Sequence, residues 1–330
     1  MEITGRQNSF QKDTAPNNAG KNLEKWHGKR YYSLDAYLKN TYGKKLKKIA
    51  IDGGFTCPNR DGTLDTRGCI FCSGAGSGDF SLPFSSIQKE EPYIAYFQAY
   101  TCTYAPLPYL NRLYRKALES PFVAGISIAT RPDCLPEEVL FLLAELRESY
   151  PNKFIWVELG LQTIHEDTAH YIRRGYSLDC FSHAVKQLSL RGIPVIPHVI
   201  LGLPGESGAM MLQTVQYLNT LPISGIKLHL LHILKGTDLA IDYKNGLFSA
   251  LSMDSYLEIL ILCICHLTPD TVIHRVTGDG PKNLLIAPLW SGDKKKVLNA
   301  LHHRMKTENA YQGKYWKGTT SYDPGTFDSL

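Results

Sequence analysis

Short apolar runs alternate with longer amphipathic stretches along most of this chain. Strand-like runs fall at 48–52, 93–98, 123–130, 154–161, 195–201 and 226–231. Between them, apolar residues recur at helical spacing over 109–119, 136–150, 177–191 and 207–221. Pro136 followed by Glu137 and Glu138 reads as a helix start, because proline presets φ and acids face the positive end of the helix dipole. A helix at 253–267, another strand-like run at 272–276 and a helix near 294–305 complete the pattern. Strand–helix alternation predicts parallel strands joined by right-handed crossovers. About six such units, rather than eight, predict an α/β fold: a partial, incomplete β/α TIM-like barrel of parallel strands with N- and C-terminal extensions. The tails 1–22 and 318–330 are expected to lack fixed structure. Residues 23–46 read as a basic N-terminal extension, and 47–317 as the barrel with its C-terminal extension.

Composition narrows the class. A hydrophobic content of 43% supports a sizeable core, and no apolar run is long enough to cross a membrane. The first 22 residues lack the apolar stretch of a signal peptide, so a cytoplasmic location with reduced thiols is expected. The net charge is +5, yet residues 21–48 alone hold nine Lys/Arg against two acids. A second basic cluster lies at 294–317. Each reads as a solvated surface or as a phosphate-binding patch, the first with Trp26, Tyr31, Tyr32 and Tyr37 interleaved among its cations.

The candidate chemistry begins just after the first strand, where Cys57, Cys69 and Cys72 share a glycine-rich stretch. A structural zinc site wants four closed ligands, and the fourth would have to come from afar, from His27 or Cys102. Three thiolates can instead grip three corners of an iron–sulfur cubane and leave one iron open. Other chemistry-bearing residues cluster where strands end, at Arg131, Gln162, Gly202 and 229–232, which in a barrel is the active-site edge. Glu158 and Arg131 read either as members of that mouth or as internal salt bridges. His229 and His232, three apart on a strand, are expected to face opposite sides, with His229 sharing the face of Lys227 and taking the substrate side. The remaining cysteines, Cys102, Cys134, Cys180, Cys263 and Cys265, read as small buried hydrophobes, with Cys102 and Cys134, just past strand ends, as the candidates for another role.

Six segments in order carry a resemblance: Asp52-Gly-Gly-Phe-Thr-Cys-Pro-Asn-Arg-Asp-Gly62, Tyr96-Phe-Gln-Ala-Tyr100, Thr130-Arg-Pro-Asp133, Glu158-Leu-Gly-Leu-Gln-Thr163, His198-Val-Ile-Leu-Gly-Leu-Pro-Gly-Glu206 and Arg275-Val-Thr-Gly-Asp279. Over 30–312 the chain resembles the radical S-adenosylmethionine (SAM) superfamily, in the Elp3-like branch that contains the bacterial YhcC/YtqA-type proteins. The gap between the first two cysteines is longer than the superfamily's common spacing. The stretch 80–92 is too short to hold the helix that usually follows the cluster loop. The resemblance implies a [4Fe-4S] cluster on Cys57, Cys69 and Cys72, with SAM on its open iron cleaved reductively to a 5′-deoxyadenosyl radical. It implies SAM contacts from Phe71, Gln98, Thr101, Glu158, Gln162, Arg174, His198, Gly202 and Gly205, the Arg174 fork suiting the methionyl carboxylate. Arg131 and His229 would serve the substrate side. The branch is associated with tRNA wobble-uridine modification, which implies tRNA as substrate, held by the basic segments 21–48 and 294–317, and an electron donor such as flavodoxin or ferredoxin. Two alternatives stay open: a radical SAM oxidoreductase on a small molecule, as in porphyrinogen-oxidising relatives, and a non-catalytic, zinc-stabilised nucleic-acid-binding protein.

Overall fold

The computed structural model describes residues 18–318 apart from Gln88 and Asp279. Residues 1–17 and 319–330 of the expected tails, and Asp279 of the last segment quoted above, lie outside the described residues. The strands are β1 (Lys47–Asp52), β2 (Leu82–Pro83), β3 (Tyr93–Phe97), β4 (Val123–Thr130), β5 (Phe154–Gln162), β6 (Val195–Leu201), β7 (Gly225–Leu230), β8 (Ile233–Leu234), β9 (Val272–Arg275) and β10 (Leu285–Ala287). The helices are α1 (Asn18–Lys25), α2 (Leu34–Tyr42), α3 (Leu107–Glu119), α4 (Glu137–Ser149), α5 (Glu166–Tyr171), α6 (Leu178–Leu190), α7 (Gly208–Leu218), α8 (Asp238–Lys244), α9 (Met253–His266) and α10 (Lys294–Thr307).

Eight strands form one parallel sheet in the order β2-β1-β3-β4-β5-β6-β7-β9, while β8 and β10 make a separate antiparallel ribbon. The run at 272–276 thus joins the sheet as a seventh full strand beside the six expected. Every residue of β3 is buried, as a parallel sheet covered on both faces requires. The sheet curls strongly. Lys227 on β7 donates to the Tyr96 hydroxyl on β3 at 3.0 Å, although three strands lie between them. At roughly 4.8 Å per strand a flat sheet would hold them about 19 Å apart. The edges β2 and β9 do not pair with each other among the described residues, so the barrel stays open. Among the described residues between the cysteine loop and β3 there is no α-helix, only β2 and a 3₁₀ turn at Phe84–Ser86.

The N-terminal extension is a plug. Ser33 caps α2 by accepting from the Ala36 amide, and the apolar face of α2 enters the N-terminal end of the barrel. There Leu38 packs with Leu46, Ile94, Trp156 and Ile196. Trp26, Tyr31 and Tyr32 are buried, so these aromatic residues are core side chains and not part of an exposed phosphate-binding patch. Helix α1 already occupies the last residues of the segment expected to lack structure.

Candidate active site

The cysteine loop is fixed by its own polar side chains. Arg60 folds back and donates to the carbonyls of Cys72 and Ser73 at 3.0 and 2.7 Å. Gly68 adopts φ +74°, and a Cβ there would lie 2.8 Å from the Arg60 side chain, so glycine is required twice over. Asn59 Nδ2 donates to the Arg173 carbonyl at 2.8 Å and lies 3.6 Å from Cys69 Sγ. The Cys69–Cys72 segment is clamped on both sides: Ile70 donates to the carbonyl of Ile172, and its own carbonyl accepts from Leu239. A small apolar cluster with Ile70, Ile172, Leu203, Leu231 and Leu239 backs it.

Cys57, Cys69 and Cys72 all line one cavity of about 290 Å³ at the C-terminal edge of the sheet. Burial pushes the Cys69 thiol up to about 12 and the Cys72 thiol upward as well, the behaviour of thiols waiting for a cationic group to favour the thiolate. A single zinc would draw thiolates to within roughly 3.8 Å of one another, given Zn–S bonds of about 2.3 Å. Among the described residues no three of His, Cys, Asp and Glu converge in that way. Three separate thiols facing a shared cavity fit a polynuclear cluster, one iron each.

The same cavity receives Phe71, Gln98, Thr101, Arg131, Glu158, Gln162, His198 and His229. Gln98 donates to the Ser77 carbonyl at 2.8 Å. Gln162 ends β5 at φ +65°, a left-handed conformation unusual for a non-glycine residue. The Tyr176 hydroxyl lies 3.1 Å from its Oε1. Arg131 faces the cavity, but Asp133 holds its guanidinium bidentately at 2.9 and 2.7 Å, and its Nη1 donates to the Arg174 carbonyl. It therefore orders the Arg174–Gly175 turn and is not a free substrate-side cation.

Three expectations are corrected. Arg174 does not line the cavity. It is 1% exposed, and its guanidinium donates to the carbonyls of Tyr176, Leu161 and Thr163 and to Glu166. Those acceptors, at the end of β5 and in the turn before α6, consume the fork that the spacing offered to a carboxylate. Gly202 and Gly205 also lie off the cavity. Both have positive φ, and a Cβ on Gly202 would meet Leu251 at 2.9 Å, so they shape the β6–α7 turn. Finally, His229 and His232 both line the cavity. Strand alternation ends with β7 at Leu230, so the two-residue period does not reach His232.

Glu158 is fully buried, and no position in the ligand role expected of it is left open. Its Oε1 accepts from Lys48 and from Ser127, the latter at 2.7 Å. Its Oε2 accepts from Lys227 and from His198, the latter at 2.8 Å. Burial alone would raise this carboxyl, but Lys227, Lys48 and His198 outweigh it and hold it well below the usual range. Burial depresses both lysines and, with neighbouring Lys227, brings His198 down to about 4. Lys48 is thereby removed from the basic surface to which its neighbours Lys44, Lys45 and Lys47 belong. Lys47 points out and Lys48 points in, as alternation on β1 demands. The network was readable in part: charged residues within otherwise apolar parallel strands must find partners. Which partners they find depends on the curl of the sheet.

An open parallel barrel with three cysteines on the loop after its first strand, all facing a polar cavity, defines an iron–sulfur enzyme scaffold. Residues 66–218 match the Radical SAM superfamily and residues 223–307 the Radical_SAM C-terminal domain. YtqA of Bacillus subtilis is 44% identical over 304 residues, covering 88% of this chain and 94% of that protein. YhcC of Escherichia coli K12 is 38% identical over 287 residues, covering 84% and 92%. The chain therefore belongs to the radical SAM superfamily, together with YtqA and YhcC, and the cofactors of this family are a [4Fe-4S] cluster and SAM. Among solved structures, Elp3 of Methanocaldococcus infernus shares the fold, with a TM-score of 0.62 at 17% identity, over 81% of this chain and 64% of that one.

Proposed function

We propose that this radical SAM enzyme modifies the 5-substituent of the wobble uridine in tRNA. The observation that carries the reading is the polar character of the cavity wall. His198, Lys227, His229 and Arg275 line it, and the buried Nε2 of His229, without a hydrogen-bond partner among the described residues, is suited to a carbonyl oxygen of a pyrimidine. Human Elongator complex protein 3 is 24% identical over 186 residues, which is 55% of this chain and 32% of that protein, and this distant likeness points the same way.

Each residue of the chain has work to do in this reading. Asn59 and Arg60 hold the loop in place, so that Cys57, Cys69 and Cys72 can carry the cluster. A cluster and SAM held there would supply one-electron, radical chemistry for hydrogen abstraction. Phe71, Gln98, Thr101 and Gln162 would orient SAM, and the buried wall would exclude water from the radical. An electron donor such as flavodoxin or ferredoxin would reach the cluster from outside. Among the described residues no helix is long and apolar enough to cross a membrane, and we place the reaction in the cytoplasm.

We propose a route for tRNA different from the one that charge placement alone implies. Lys44, Lys45 and Lys47 sit at the start of β1, about 20 Å along the strand from the cysteine loop at its other end. Exposed Arg67, Lys235 and Lys282 instead adjoin cavity-lining Gly68, Leu234 and Pro281. We therefore assign phosphate contacts to these three. Nucleoside analysis of tRNA from a strain lacking the protein should reveal an altered wobble uridine. Neutralising Arg67, Lys235 and Lys282 together should abolish salt-sensitive tRNA retention, whereas neutralising Lys44, Lys45 and Lys47 should leave it. An unchanged nucleoside profile would sink the assignment.

A further inference from the structure

We propose that Asn59 and Ser77 donate hydrogen bonds to the sulfurs of Cys69 and Cys72 and thereby set how readily the cluster held there takes up its electron. A thiolate bound to iron keeps lone pairs on sulfur. A donor aimed at them stabilises the cluster more once an electron has been added. Such donors raise the reduction potential without touching iron. The inference rests on Cys57, Cys69 and Cys72 as the cluster ligands.

Asn59 is 2% exposed, so its amide must find partners within the protein. The carbonyls of Arg173 and Arg174 lie 2.8 and 3.4 Å from Nδ2. They fix which end of the amide is nitrogen, since an oxygen there would face two oxygens. One of the two amide N–H groups is taken by the Arg173 carbonyl. The other faces Cys69 Sγ at 3.6 Å, and its competitor, the Arg174 carbonyl, already accepts from Arg131 Nη1. The Cys69 thiol donates to the Arg173 carbonyl at 3.5 Å. When iron replaces that proton the sulfur can only accept, and Asn59 is the donor already in place.

Ser77 Oγ lies 3.8 Å from Cys72 Sγ, and Ser77 lines the same cavity. Its backbone is at φ +65°, a left-handed conformation that glycine adopts freely. Gly74, Gly76 and Gly78 surround it, so Ser77 accepts strain and keeps a hydroxyl where a fourth glycine would fit more easily. The turn that carries it is tight. Gln98 Nε2 donates to the Ser77 carbonyl at 2.8 Å, and the Tyr100 amide donates to the Gly76 carbonyl at 2.8 Å. A Cβ on Gly76 would run into the Tyr100 ring. The hydroxyl thus stands on a packed turn beside the sulfur.

The test is a redox titration of the one-electron cluster couple, followed by electron paramagnetic resonance, in the anaerobically reconstituted protein without SAM. Asn59→Ala and Ser77→Gly should each shift the equilibrium toward the oxidised cluster by about threefold or more, the scale of one hydrogen bond. Threefold is a fall of about 28 mV for one electron. Ser77→Gly also relieves the left-handed backbone, so its melting temperature should hold or rise while the potential falls. Mere loosening of the loop would do the reverse, because water admitted to the site favours the more negatively charged reduced cluster and raises the potential. An unchanged or raised potential in either loaded variant overturns the inference. If SAM affinity in dialysis then falls for Ser77→Gly, the hydroxyl serves SAM instead. Should Asn59→Ala take up no cluster, Ser77→Gly decides. A parent protein that takes up no four-iron cluster, by iron and sulfide content, fails the ligand assignment and the inference with it.

Discussion

Single side chains in this protein are defined by what their polar atoms already hold. Cys57, Cys69 and Cys72 announce themselves by type and spacing, because few structures need three thiols on one short loop. Arg174 announces itself equally well by its distance from Gln162, yet its guanidinium is spent on carbonyls of the turn after β5. The difference is physical: a thiol is a weak hydrogen-bonding group with few competing partners, whereas an arginine beside a strand end meets backbone carbonyls first. Arg174→Lys should therefore destabilise the fold by about 1–3 kcal/mol, since an ammonium cannot bridge the same set of acceptors. Urea unfolding, set beside SAM dialysis at a temperature where both proteins are folded, checks this. Loss of SAM binding with full stability would restore Arg174 to the cofactor.

Among the elements, those with strong periodicity were legible and those defined by context were not. The six expected strands and the helices α3, α4, α6, α7, α9 and α10 stand within a few residues of their expected bounds. Helix α2 escaped notice because Leu34, Ala36, Leu38 and the tyrosines around them are interleaved with lysines, which made charge the louder signal. Its role is visible only when Leu38 is found beneath Ile94, Trp156 and Ile196. Leu38→Ala should cost about 2–5 kcal/mol, the range for truncating a buried leucine whose surroundings cannot collapse. Chemical denaturation would read it directly, and a change below about 0.5 kcal/mol would mean that α2 merely rests on the barrel.

For the whole molecule, the interior charge network couples stability to pH. His198 titrates near 4 in the fold against 6.5 unfolded, and burial holds His229 and His274 well below their ordinary value too. Below pH 6.5 the unfolded chain therefore binds more protons than the folded one, so stability falls as pH falls, through the window from 6.5 down to about 4. Each such histidine contributes up to about 1.4 kcal/mol per pH unit to the slope. Melting temperatures of the cofactor-free protein should drop steadily between pH 7 and 5, and His198→Gln should flatten the curve. A melting temperature constant over that range would show that the histidines protonate freely in the fold.

What the sequence determined alone was the alternation of strands and helices, hence a parallel α/β sheet, and the three thiols that mark a cluster loop. These follow from local rules: periodicity, turn chemistry and residue type. Tertiary structure decided the rest. Only the curl of the sheet brings Lys48, Tyr96, Glu158, His198 and Lys227, from five different strands, around one carboxylate. No spacing along the chain encodes that meeting, because contacts across a barrel depend on how far the sheet bends between strands. The same curl buries some residues that look like a basic surface and leaves others to meet solvent.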